Sequence, residues 1–322
     1  MLDITKHKEI TIPARGSWPP AIHVFDPKSI WAVNAALTAE RPLLIRGEPG
    51  VGKSQLARAA AEQMGRAFIS EVVHARSECQ DLQYNYDAVG RLGEAQTLGS
   101  CARDGQDIRQ ALEQRRFLSP GVLWWTLDWQ GAEAQAKDCC TGARRPEKPL
   151  GWSPQKGCVL LIDEIDKAEA DLPNGLLETL GNGSFTVPFL DEAVKAGEGA
   201  PSPLVIITTN EERELPAAFL RRCLVLQMRL PEGKEELVDW LVGRGEVHFG
   251  SECGEKVRKE AASQLWEDRE KALSQNRPAP GQAEYLDMLR ALSRLENNEK
   301  GQLAALEQIS EFALKKYADE RI

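Results

Sequence analysis

The sequence has no uninterrupted apolar run approaching the roughly 20 residues that a helix needs to cross a bilayer, so no membrane-spanning segment is expected. Its first residues, Met1-Leu2-Asp3-Ile4-Thr5-Lys6, lack a basic stretch followed by an apolar one, so no signal peptide is expected either, and a cytoplasmic location follows as an expectation. Histidine is scarce, at four residues, and none sits at zinc-finger spacing. The seven cysteines (Cys79, Cys101, Cys139, Cys140, Cys158, Cys223 and Cys253) contain no C-x-x-C pair. Their odd number and irregular spacing fit reduced thiols better than a disulfide framework. Positive charge is also in deficit: 40 Lys and Arg stand against 49 Asp and Glu, a net charge of −9. As a whole such a chain repels nucleic acid and anionic membranes, although a local basic patch is compatible with it. Internal repeats and low-complexity segments are absent as well.

What is present is an ordinary globular composition, 42% hydrophobic and 28% charged, over 322 residues, which suits two domains. Short apolar runs at Pro42 to Arg46, Ala67 to Val73, Cys158 to Ile162, Leu204 to Thr208 and Leu224 to Leu230 predict five buried strands. Helical patterns at Ser54 to Met64 and Asp171 to Leu180 alternate with them. Asp26-Pro27 predicts an N-cap and a first helical turn for a helix through Ala39. Alternating strands and helices predict an α/β domain with a parallel sheet covered on both faces. Beyond Pro231-Glu232-Gly233 no β-rich run remains, and helices are expected near 234–243, 254–274, 283–296 and 300–318. The expected division is therefore an α/β core over 1–231 and a smaller all-helical domain over 232–322. The stretch of about 74–157 is too long for a loop and reads as an insertion with structure of its own. A helix is expected to start within Asp87 to Ala95. The later part of the insertion carries Trp124, Trp125, Trp129 and Trp152, which suit either a partner-binding surface or a core for the insertion.

Four clusters carry the chemistry. Gly47-Glu48-Pro49-Gly50-Val51-Gly52-Lys53-Ser54 matches G-x-x-x-x-G-K-[ST] in full, after a strand and opening a helix. Its glycines let successive N–H groups face phosphates, and the helix adds its positive end. Lys53 is expected to reach the β- and γ-phosphates of ATP and Ser54 to ligate Mg²⁺. Val159-Leu160-Leu161-Ile162-Asp163-Glu164 is an apolar strand ending in two carboxylates, Asp163 suited to the Mg²⁺ shell and Glu164 to orienting and activating water. Thr208-Thr209-Asn210 ends the fourth strand, with Asn210 suited to the γ-phosphate or the water. Arg221 and Arg222 end a short helix downstream.

Taken in order, these residues resemble the AAA+ ATPases, over most of residues 22–322. Ile162-Asp163-Glu164-Ile165-Asp166-Lys167-Ala168, continuing to Asn174 through Leu180, resembles the MoxR branch in particular. The resemblance implies Walker A at 47–54, Walker B at 159–164, sensor 1 at Asn210 and an arginine finger at Arg221 or Arg222. The family's acidic-Arg-aromatic pattern favours Arg222, but Arg221 and Cys223 flank it here and leave both open. It further implies a β-hairpin at Gly183 to Pro188, an insert within 74–157 and a helical lid. At Pro280-Gly281-Gln282-Ala283-Glu284-Tyr285, where a sensor 2 arginine would stand, there is none, so sensor 2 is lost, replaced by Gln282 or supplied by Arg277. The function implied is an ATP-hydrolysing, chaperone-like remodeller working as a homo-oligomeric, hexameric ring, with a separate partner carrying a von Willebrand factor A domain. The alternative is an ATP-dependent regulatory switch or scaffold in a bacterial conflict system. A nucleic-acid helicase or loader is disfavoured by the net charge and the lack of a basic stripe.

Overall fold

The computed structural model describes residues 1–2, 9–99, 105–188, 190, 193–197 and 199–313. The chain begins with an antiparallel pair, β1 (Glu9–Ile12) and β2 (Ala21–Val24), followed by α1 (Pro27–Ala39). As the sequence predicts, the Asp26 carboxylate caps α1 by accepting from the Ser29 N–H at 2.9 Å, and Pro27 occupies the first turn, where no N–H is required. Then come β3 (Leu43–Arg46), α2 (Lys53–Gln63) and β4 (Ala67–Val72). The insertion folds as α3 (Cys79–Gln83), β5 (Tyr84–Tyr86), α4 (Ala88–Gly99), α5 (Gly105–Ala111), β6 (Leu118–Pro120), α6 (Val122–Leu127) and α7 (Trp129–Asp138), with β5 and β6 paired antiparallel. After it run β7 (Cys158–Asp163), α8 (Asp171–Asn182), a short hairpin of β8 (Ser184–Phe185) and β9 (Val194–Lys195), then β10 (Leu204–Thr209), α9 (Ala217–Arg222) and β11 (Leu224–Gln227). The helical region is α10 (Lys234–Phe249), α11 (Glu255–Ser274), α12 (Gln282–Leu295) and α13 (Glu299–Ala313). Cys101 and residues 314–318, expected to continue the last helix, lie outside the described residues.

The five core strands form one parallel sheet in the order β11-β3-β10-β7-β4. β10 therefore separates β3 from β7, and the chain leaving β3 passes over both before it re-enters as β4. Such a crossover opens a crevice at the carboxyl ends of the strands, where α/β sheets bind their ligands. Register decides what meets there: Thr209 pairs with Arg46, and Ile207 with Ile162, so the ends of three strands lie side by side.

Each face of the sheet has its own core. Leu43, Ile45, Val159, Leu161, Leu204 and Ile206 point to the α1–α2 side, whereas Leu44, Leu160, Ile162, Val205 and Ile207 point to α6, α7 and α8. The tryptophans resolve on that second face. Trp124, Trp125 and Trp129 are 3, 3 and 6% exposed and pack into the same cluster as the strands, with Trp129 and Trp152 ring centroids 4.4 Å apart. A partner-binding role for Trp124 and Trp125 is thereby corrected in favour of the core alternative: the insertion buries both indoles against the sheet, and only Trp152 is left half-buried. Either Trp124→Ala or Trp125→Ala is expected to lower folding stability by about 3–5 kcal/mol, read from denaturant midpoints. A loss below about 1 kcal/mol, within surface-site range, would contradict the packing.

Two boundaries also differ from expectation. α10 runs to Phe249 because Gly243 and Gly245 do not break it. A Cβ on Gly245 would lie 2.6 Å from the Tyr285 hydroxyl and 2.8 Å from Leu289 Cδ1, so glycine is there for close helix packing. β11 stops at Gln227 because Leu230 turns away into the core of the helical region, beside Val51.

Candidate functional site

The loop between β3 and α2 is shaped by backbone that side chains disfavour. Gly47, Gly50 and Gly52 have φ of 151°, 78° and 92°. A Cβ on Gly47 would meet the Met228 carbonyl oxygen at 2.2 Å, and one on Gly50 would meet the Ala283 side chain at 2.8 Å. The loop is thus pressed between β11 on one side and the start of α12 on the other, and only glycine fits both contacts. From it, Lys53 turns inward, 7% exposed. Its ammonium donates to the carbonyls of Gly47 (2.7 Å) and Glu48 (2.9 Å) and to Asn210 Oδ1 (2.8 Å). Burial lowers its pKa from the ordinary lysine value, against the opposing pull of Asp163, Asp166, Glu164 and Glu211.

The ends of β7 and β10 supply the rest. Ser54 Oγ donates to both oxygens of Asp163, at 2.9 and 2.8 Å, and the Thr208 hydroxyl donates to Asp163 Oδ1. The Glu164 N–H in turn donates to Thr208 Oγ1 at 3.0 Å. Glu164 sits in the left-handed region at φ 61°, uncommon for a residue with a side chain, and this sharp turn aims its carboxylate across the strand ends. There Asn210 Nδ2 donates to Glu164 Oε1 at 3.3 Å, and Lys167 Nζ reaches Oε2 at 2.6 Å. The hydroxyl and carboxylate of Ser54 and Asp163 are hard oxygen donors converging on one point, without thiol or imidazole, a set that suits Mg²⁺.

Several residues of the site were not singled out in the sequence. Asp166, 2% exposed, accepts from the backbone N–H of Asn210 (3.4 Å) and of Glu212 (2.9 Å) and so fixes the turn that carries Asn210. The one local signal for it is its position, three residues beyond Asp163. Arg269 of α11, also not singled out, pairs at 2.8 Å with Glu48 of the expected phosphate loop and donates to the Pro280 carbonyl at 3.0 Å. No spacing rule predicts that contact across 221 residues. The expected replacement for a sensor 2 arginine is only partly realised: Gln282 lines the cleft beside the loop, and so do Arg229, Arg244 and, two turns along α12, Arg290. The cleft measures about 930 Å³ and is bounded by the 49–55 loop, β2 and the helical region. His23, on β2 at its wall, is pushed down to about 3 by burial and by the nearby Arg244, so it is neutral at physiological pH.

Arg221 and Arg222 are not in this cleft. Both are exposed at the end of α9 and line a separate cavity of about 780 Å³ at the opposite, amino-terminal ends of β3, β7 and β10. Their backbone is held: Arg41 donates to the carbonyls of Arg221, Arg222 and Cys223. Among the described residues no helix is long and apolar enough to cross a membrane, six cysteines are free and no metal-binding cluster of His, Cys, Asp and Glu occurs.

A family model described as AAA domain (dynein-related subfamily) matches residues 42–223, which span β3 to the end of α9. Comparison with curated proteins yields no match. Among solved structures, a point mutant of Thermotoga maritima RuvB is similar at 14% identity and a TM-score of 0.42, covering 88% of this chain and 67% of that one. A Cytophaga hutchinsonii protein provisionally described as an ATPase is similar at 12% identity and a TM-score of 0.36, covering 89% and 79%. Likenesses this loose carry no functional argument.

Proposed function

We propose, from the premise that this chain belongs to the AAA family in its dynein-related subfamily, that it hydrolyses ATP and uses the cycle as a MoxR-like, chaperone-like remodeller of a partner protein. The observation that supports hydrolysis is the joining of Lys53, Asn210, Glu164, Asp163 and Ser54 in one hydrogen-bonded cluster at the crevice of the sheet. In this reading the N–H groups of the Gly47–Ser54 loop, Glu48, Pro49 and Val51 included, cradle the phosphates. Lys53 exchanges its loop carbonyls for β- and γ-phosphate oxygens. Ser54 and Asp163 would hold Mg²⁺, which would supply charge neutralisation at the phosphates. Glu164 accepts the proton of the attacking water, and Asn210 orients that water or the γ-phosphate. Arg221 or Arg222, far from the chain's own cleft, serves the cleft of a neighbour in a homo-oligomeric ring, hexameric by the resemblance to MoxR proteins. A separate protein with a von Willebrand factor A domain is the partner class that the same resemblance suggests.

The direct test is nucleotide binding. Lys53→Ala is expected to weaken ATP affinity at least about tenfold, since hydrogen bonds to charged groups contribute roughly 1.5–3 kcal/mol each. Titration of a fluorescent ATP analogue measures it. Unchanged affinity in a folded Lys53→Ala protein would remove the loop from the reaction, and with it the proposed activity.

A further inference from the structure

Glu164 is the general base of the proposed reaction, and each of its oxygens already has a donor upon it. Asn210 Nδ2 occupies Oε1 at 3.3 Å and Lys167 Nζ occupies Oε2 at 2.6 Å. The two constraints differ in kind. Asn210 is itself held from the other side by Lys53 at 2.8 Å, so the P-loop lysine, the amide and the carboxylate form one chain of contacts. A γ-phosphate that draws Lys53 to itself takes the partner of the Asn210 carbonyl away and frees the amide to turn. Lys167 has no such link to the phosphates. It lies three residues from Glu164, on the same 3-10 turn (Ile165–Lys167), and its contacts tie it to that turn. The other charged groups acting on it, Asp166 and Glu212, are anionic and favour the charged ammonium.

We infer that Lys167 is a positioning residue that restrains the Glu164 carboxylate, a brake on hydrolysis that nucleotide binding alone does not release. The inference rests on Glu164 being the base. A carboxylate whose lone pair is engaged by an ammonium 2.6 Å away accepts a proton from water less readily than a free one. The brake is weak by construction. Both side chains are partly exposed, 41% for Lys167 and 30% for Glu164, and pairs of this kind are screened by solvent. Its position near the protein surface also leaves Lys167 accessible to an acidic side chain from a neighbouring subunit or partner. Such a group, by competing for the ammonium, would release Glu164.

The test has two arms. Lys167→Met is expected to raise kcat for ATP about two- to fivefold, the range set by a half-exposed ion pair, with KM for ATP unchanged. Lys167→Arg, which keeps the cation, is expected to stay below the methionine variant. The second arm needs no turnover: nucleotide-free wild type and Glu164→Gln are acetylated with acetic anhydride, and Lys167 is followed by mass spectrometry. Lys167 is expected to react several-fold faster in Glu164→Gln, where its carboxylate partner is gone. An unchanged or lower kcat in Lys167→Met overturns the inference, as does equal labelling of the two proteins. Absence of ATPase activity in the wild type would instead overturn the proposed function, while the labelling arm still reports on the pair.

Discussion

Loss of both arginines at the end of α9, by Arg221→Ala with Arg222→Ala, is expected to lower ATP turnover about 10³–10⁵-fold, the range for an arginine acting on phosphate from a neighbouring subunit. The expectation rests on placement. Both side chains are exposed, and they line a cavity at the opposite end of the sheet from Lys53. Within one chain they lie away from the cleft, so in the proposed ring they would serve it from across a subunit boundary. Complementation separates this from a folding defect. Arginine-deficient subunits keep an intact Glu164, and Glu164→Gln subunits keep intact arginines. In an equimolar random ring, about a quarter of the head-to-tail interfaces pair an intact carboxylate with an intact arginine. Mixing two nearly inactive proteins is thus expected to restore up to about a quarter of wild-type activity. Failure to recover any, with wild-type activity per subunit constant on dilution to monomer, would refute a shared site. Single variants then decide between Arg221 and Arg222.

Glu164→Gln is expected to reduce kcat about 10²–10⁴-fold, the contribution typical of a general base, while leaving ATP binding intact. Glutamine has the same shape and can still accept from Asn210, so the turn at φ 61° and the Thr208 contact to the Glu164 N–H are expected to persist. What it lacks is the capacity to take a proton from water. Stability should change little, because the ion pair lost with Lys167 is partly exposed. Phosphate release under saturating ATP, alongside equilibrium binding of a fluorescent ATP analogue, gives both numbers. A glutamine variant turning over at the wild-type rate would assign the base elsewhere, and the chain Lys53–Asn210–Glu164–Lys167 would lose its catalytic meaning.

Much of this was legible in the sequence, where local pattern determines structure. The run from Gly47 to Ser54, the strand Cys158–Asp163 and the cap at Asp26 depend on contacts made within a few residues, and the structure has each of them. So does the parallel sheet, whose strands are apolar throughout because both faces are covered. The misreadings have a common origin in contacts distant along the chain. Gly243 and Gly245 look like the end of a helix until Tyr285 and Leu289 are seen packed against Gly245. Trp124 and Trp125 suit a binding surface as well as a core until the sheet is placed beneath them. Arg269 was one cation among many on a long helix, and only folding brings it to Glu48. Asp166 shows the intermediate case: its spacing from Asp163 was visible, but its two backbone acceptances depend on β10 lying beside β7.

Arg41 stands two residues before β3 begins and binds the last turn of α9 through three carbonyls. The same strand delivers its other end to Gly47. One short, largely buried strand therefore carries the nucleotide loop at its tip and the turn bearing the two exposed arginines at its root, and so couples the two. The loop also meets the helical region, through Glu48 with Arg269 and Gly50 against Ala283. In a ring, a change of angle at that contact in one subunit would swing the core, arginines included, relative to the next subunit's cleft. Timing round the ring would then be mechanical: one subunit's readiness is set by the posture of its neighbour.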